Sequence, residues 1–153
     1  MSDATTISAM MKSTVTGPAW HGPSVMELLE GITAEQALEH PLDDCHSIWE
    51  IMFHLNEWQE YALDTIQGKK NNLAEGHDWP KPPADADESR WEMTMRRFEG
   101  CSREIREYIM HVDESRMHEL VPGKEFTIKI LLHGIIEHNI YHGGQLAMLR
   151  KLV

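Results

Sequence analysis

Residues 91–112 read WEMTMRRFEGCSREIREYIMHV. Trp91, Phe98, Ile105 and Val112 recur every seven residues, with Met95, Ser102 and Ile109 between them. That spacing gathers the apolar and small side chains into one stripe of a helix, the seam of a bundle. Such a stripe must be covered by other helices, and the flanking sequence supplies them. Upstream, Ser47 with Glu50 has the form of a capping box. Ile48, Ile51, Met52, Leu55, Ala62 and Ile66 then trace a buried face up to Gly68. Downstream, Thr127 follows Val121-Pro122-Gly123 and caps a last helix that reaches the C-terminus. A first helix over about Thr5 to Val15 breaks at Gly17-Pro18, and Val25–Leu29 and the Thr33/Gln36 box begin two short pieces. Alternating strand patterns are scarce. The expected fold class is all-α, a bundle of four main helices with short accessory helices, as one domain over residues 1–153.

Twenty-five acidic residues against 14 basic give a net charge of −11. No clustered Lys/Arg patch offsets it, so no nucleic-acid partner is expected. No apolar run approaches the ~18–20 residues of a membrane span, so no membrane partner is expected either. The first eleven residues do not read as a signal peptide. Cys45 and Cys101 are the only cysteines and do not form a disulfide framework, so the expected location is a reducing cytoplasm.

The last helix carries His138-Asn139-Ile140-Tyr141-His142-Gly143-Gly144-Gln145. At about 100° per residue, Leu131, Ile135, His138, His142, Gln145 and Leu149 share one inward stripe. Residues four apart face the same way, close enough for two imidazoles to hold one ion. His133 turns away from the pair. The best third ligand is His54, on the helix after Ser47; a boundary histidine paired with Glu50 or Glu57 is the other reading of it. Three imidazoles suit Zn, Ni, Fe or Cu and leave a coordination position open. Asn139 stands where a zinc protease places its glutamate, so this helix supplies no general base of that kind. Neither Glu-x-x-His pairs nor Cys-x-x-Cys occur.

His54-Leu55 with Trp58 and Tyr61, the segment Glu137 to Leu146, Trp20-His21-Gly22-Pro23, Ser47-Ile48-Trp49-Glu50 and the prolines around Trp79-Pro80 together resemble the DinB-like (YfiT-related) superfamily. The resemblance covers essentially the whole chain. It implies an up-down-down-up four-helix bundle with a metal near one end, held by His54, His138 and His142. It also implies a divalent transition metal (Zn or Ni ahead of Fe), a low-molecular-weight thiol as co-substrate, a small-molecule substrate and a homodimer. Relatives include thiol transferases and a maleylpyruvate isomerase. The function expected is activation of a thiol or water for transfer to, or hydrolysis of, a small electrophile. The alternative is a non-catalytic metal-binding bundle with a role in stress response or protein association.

Other residues carry two readings each. Tyr141 lines a pocket or packs at the bundle edge. Gln145 orients a metal-bound water or bonds across the core. Gly143-Gly144 admits a neighbouring helix or a ligand. His21 reaches the metal as a proton relay or stabilises a turn, and His46 is a further ligand or polar flanking sequence. Cys45 is an activated thiol or an inert one. Trp79, within the Asn71–Ala86 stretch, belongs to a lid or anchors a loop.

Overall fold

The computed structural model describes residues 2–69, 73 and 79–153. Among these there are six α-helices and no strand: α1 (Asp3–Thr16), α2 (Val25–Leu29), α3 (Ala34–Leu38), α4 (Ile48–Ile66), α5 (Glu88–His111) and α6 (Ile128–Leu149). A 3₁₀ turn at Glu114–His118 follows α5. None of these helices is long and apolar enough to cross a membrane.

Local chemistry sets the helix ends. Ser47 accepts from the Glu50 amide at 3.2 Å, and the Glu50 carboxylate accepts from the Ser47 amide at 2.9 Å, closing the capping box of α4. Thr33 and Gln36 form the same box on α3, and Ser24 and Glu27 form a third on α2. Asp87 and Thr127 cap α5 and α6. Gly68, at φ +71°, turns the chain out of α4. The Arg116 guanidinium donates to the Ile66 carbonyl at 3.0 Å, placing positive charge at that negative helix end. Between the 3₁₀ turn and α6, the Val121 amide donates to the Phe126 carbonyl at 2.9 Å, and Leu120 bridges Thr127. This tight reversal holds Phe126 against the start of α6.

The four long helices enclose two apolar clusters. One contains Ile7, Met11, Ala62, Ile66, Ile105, Ile109, Leu132 and Ile136; the other contains Val15, Met52, Leu55, Trp91, Phe98, Leu146 and Leu149. α1 and α6 therefore run from the first cluster to the second, and α4 and α5 run in the opposite sense. The seam read from the sequence is buried at Trp91, Phe98, Ser102, Ile105 and Ile109. Each long helix puts buried polar side chains at the level between the clusters: Thr14, Asn56 and Gln59, Ser102, and Asn139. In the second cluster, Trp49 and Trp91 lie 5.2 Å apart, centroid to centroid. The Trp49 indole donates to Thr94 Oγ1 at 3.1 Å, and the Trp91 indole to the Ile32 carbonyl at 2.8 Å.

Trp91 combines full burial with the bond that fastens the α2–α3 connection to α5. Trp91→Ala is expected to cost about 3–5 kcal/mol in urea unfolding. A loss below about 1 kcal/mol would show that the tryptophan pair does not anchor this end of the bundle.

Candidate metal centre

His54 sits on α4 one residue before buried Leu55, and His138 and His142 sit one turn apart on α6. Each helix keeps its apolar neighbours in the core, which carries the histidines to the α4–α6 seam. His54 and His142 are each only 4% exposed, and His138 is half-buried. The three residues predicted from the sequence come together. His54 Nε2 lies 2.9 Å from His138 Nε2, and His142 Nε2 lies 3.0 Å from the same atom. One ligating atom from each falls within 4.8 Å of the others, a group able to hold a metal ion.

Proton counting shows why this arrangement suits a cation. His142 Nδ1 lies 2.6 Å from Gln145 Oε1. A carbonyl oxygen only accepts, so Nδ1 carries the hydrogen and Nε2 of the neutral ring is a bare acceptor. If His138 Nε2 is protonated, it donates to His142 or to His54 but not well to both. If it is bare, it faces His142 lone pair to lone pair at 3.0 Å. Either way one close contact is unmatched. An ion on the three lone pairs removes the conflict: imidazole ligands at about 2.0–2.1 Å in a tetrahedral shell lie about 3.3 Å apart, a few tenths of an ångström from the two distances to His138 Nε2.

The surroundings keep the two α6 rings neutral. Burial pushes His138 down to about 3, with neighbouring His142 and His54 adding to the effect. Burial also lowers His142, against the opposing pull of the Gln145 bond. The carboxylates that the sequence offered to His54 are engaged elsewhere. Glu50 Oε2 lies 3.0 Å from His40 Nε2 and 3.5 Å from His46 Nδ1, while Arg97 takes Glu57 at 3.4 Å and pairs with Glu60.

Trp79 stacks on His54 with centroids 3.9 Å apart and planes within 5°, and His46 stacks on the far face of Trp79 at 3.6 Å. His46 is thus part of a three-ring pile rather than mere flanking sequence, and Trp79 covers a candidate ligand. Of the 71–86 segment only Leu73 and residues 79–86 are described, so the lid expectation otherwise lies outside the described residues. Gln145 Oε1 accepts from His142 Nδ1–H and fixes that ring. That was findable, because residues three apart on a helix are neighbours. Tyr141 is 66% exposed, its ring 5.0 Å from that of His142. His21 is exposed in the turn before α2. Cys45 is exposed, and burial pushes the Cys101 thiol up to about 12. His54 lies on α4 between Met52 and Leu55 of the second cluster, and His138 and His142 lie on α6 between Ile136 of the first cluster and Leu146 of the second.

Two cavities flank the histidines. One, of about 450 Å³, has His54 and His138 on its wall with Trp58, Phe126, Ile130 and Gly134. The other, of about 510 Å³, is bordered by Cys45, His46, Tyr141, Gly144 and Gln145.

The family model of the DinB superfamily matches residues 20–146. No curated protein and no solved structure matches the chain.

In metal-free protein the depressed His138 makes stability depend on pH. An unfolded histidine takes up a proton near 6.5, whereas folded His138 resists it until about 3. The contribution is therefore complete above about 6.5 and is lost as pH falls. The melting temperature of chelator-treated protein should drop from pH 7 to pH 4.5, and His138→Ala should flatten that slope. Parallel curves for the two proteins would remove His138 as the cause.

Proposed function

The chain belongs to the DinB superfamily, and on that premise we propose that His54, His138 and His142 hold a divalent transition metal at the heart of an enzyme site. In this reading the site activates a thiol or water for transfer to, or hydrolysis of, a small electrophilic substrate. Zinc or nickel comes ahead of iron, and a low-molecular-weight thiol is the co-substrate. The observation that carries it is the convergence of three Nε2 atoms on the α4–α6 seam, beside a cavity open to a small molecule. A closed structural site would need a fourth side chain. Among the described residues only these three histidines form a ligating group.

A bound divalent ion would supply Lewis acidity, lowering the pKa of a coordinated thiol or water so that a nucleophile exists near neutral pH. The residues of this chain do the rest. Gln145 accepts from His142 Nδ1–H and so presents the lone pair of Nε2. Trp79 lies flat on His54, fixing its ring and excluding water from that face. Burial keeps His138 and His142 unprotonated and available as donors.

Elemental analysis of protein prepared without a histidine tag should find about one transition-metal ion per chain. Alanine at position 54, 138 or 142 should abolish it, and a single variant with full occupancy would break the ligand set. Thiol transfer to an electrophile should disappear on chelation and return on adding metal. If metal is bound but no thiol or hydrolytic turnover responds to it, the non-catalytic alternative stands.

Gln145→Leu keeps the ligands but removes the partner of His142. It should weaken metal affinity by about 10–100-fold in competition with a chromogenic chelator. Unchanged affinity would mean that the His142 tautomer is set by something else.

A further inference from the structure

Glycine inside a helix is unfavourable by about 1 kcal/mol relative to alanine, and α6 contains three. A Cβ at Gly143 would make an ordinary contact with Leu28 Cδ1 at 3.9 Å, and one at Gly144, which borders the second cavity, would meet nothing within 4 Å. A Cβ on Gly134 would meet nothing within 4 Å. No neighbouring helix requires that gap. What it opens onto is the 450 Å³ cavity beside His54 and His138.

The chemistry of that cavity is one-sided. Apart from the two histidines, its wall consists of Trp58, Phe126, Ile130, Leu131, Ile135 and the bare backbone of Gly134. It has no carboxylate, ammonium or guanidinium. A charged group entering it would lose hydration with no partner in return, whereas an apolar group would be favoured. Trp58 adds a single further polar atom: its Nε1, a donor, is buried and has no hydrogen-bond partner among the described residues. The volume falls in the range of about 300–1,000 Å³ typical of small-molecule sites. Ile130, 57% exposed, stands at the mouth, so the space is reachable from solvent.

We propose that this cavity binds the uncharged aryl or branched-alkyl portion of the electrophilic substrate, and that Gly134 determines the size of group admitted. The proposal rests on the reading of the three histidines as a metal centre for an electrophile. It adds the part of the substrate that does not react: an apolar body seated between α4 and the first half of α6, its reactive end toward His54 and His138. A small, fully hydrophilic electrophile would leave the apolar wall and the glycine gap unused.

N-phenyl-1-naphthylamine, an uncharged aromatic fluorophore, tests this on the full chain. Titrated into wild-type protein, it should show saturable binding at one site per chain. Gly134→Leu should weaken that binding at least tenfold while leaving the melting temperature unchanged or higher. Gly144→Leu, in the other cavity, should leave binding within threefold of wild type. If Gly134→Leu fails to fold, Ile130→Glu sets a carboxylate at the exposed mouth and should give the same tenfold loss. Absence of saturable binding, or wild-type affinity in the folded Gly134→Leu or Ile130→Glu protein, overturns the proposal. So does sedimentation showing that wild type self-associates and Gly134→Leu does not, since a second copy would then be the occupant. Binding is read with and without zinc, and metal content is measured separately. A protein that takes the probe but no metal refutes the metal reading alone; one that takes metal but no probe refutes the cavity alone.

Discussion

His138 Nε2 has two other imidazole nitrogens within 3.0 Å and only one lone pair, or one proton, to offer them. Hydrogen bonding alone cannot satisfy three such atoms once Gln145 has committed the His142 proton to Nδ1. Buried polar groups are costly when unmatched, and here the mismatch lies among rings that burial also keeps neutral. A structure that holds three donors this close without protons to share is organised for a cation. The positions of α4 and α6 and the ring laid on His54 are the conditions for keeping them there.

That arrangement needs rigid helices, and the two-cluster core provides them. Each long helix is gripped by apolar packing on both sides of the middle level, so His54, His138 and His142 leave backbone that is anchored above and below. The middle level itself is polar. Both side-chain amide atoms of Gln59 and of Asn139 are buried without a protein hydrogen-bond partner among the described residues. Replacing that layer with leucine-like packing would favour stability in isolation. Its presence across all four long helices fixes which level of each helix sits beside which, and the histidines depend on that register.

What could be read from the sequence was what is local or periodic. The Ser47/Glu50 and Thr33/Gln36 boxes, the Thr127 cap and the heptads from Trp91 each involve residues within one or two turns, and all appear in the fold. The His138/His142 pair was visible for the same reason. His54 could be matched to the pair because its helix also had a readable apolar face. The Trp79 stack was not legible: it joins a loop to α4 across 25 positions with no period to announce it. The 3₁₀ turn at Glu114–His118 was also missed, being short and without a repeating face. Gly134 was overlooked because a lone glycine in a helical pattern says nothing until the space around its Cβ is known.

The electrostatics of the site follow from where the acids went. The chain carries an excess of 11 negative charges, yet no carboxylate joins the three histidines among the described residues. Glu50, the nearest in sequence on the Trp79 side, is pushed up by burial. The Ser47 amide and His40 outweigh that and hold its carboxyl below the ordinary range, so its charge is spent on the α4 cap and two other imidazoles. Glu57 and Glu60 are paired with Arg97 of α5. Among the described residues, therefore, no carboxylate would offset the charge of a divalent ion held by the three imidazoles. Such a centre favours an anionic partner from solution, and a thiolate is both anionic and polarisable. The apolar wall beside it repels charge from the neighbouring space. On the proposed reading, the same few residues would separate two reactants of opposite character, an anion at the histidines and an uncharged body against Trp58 and Phe126.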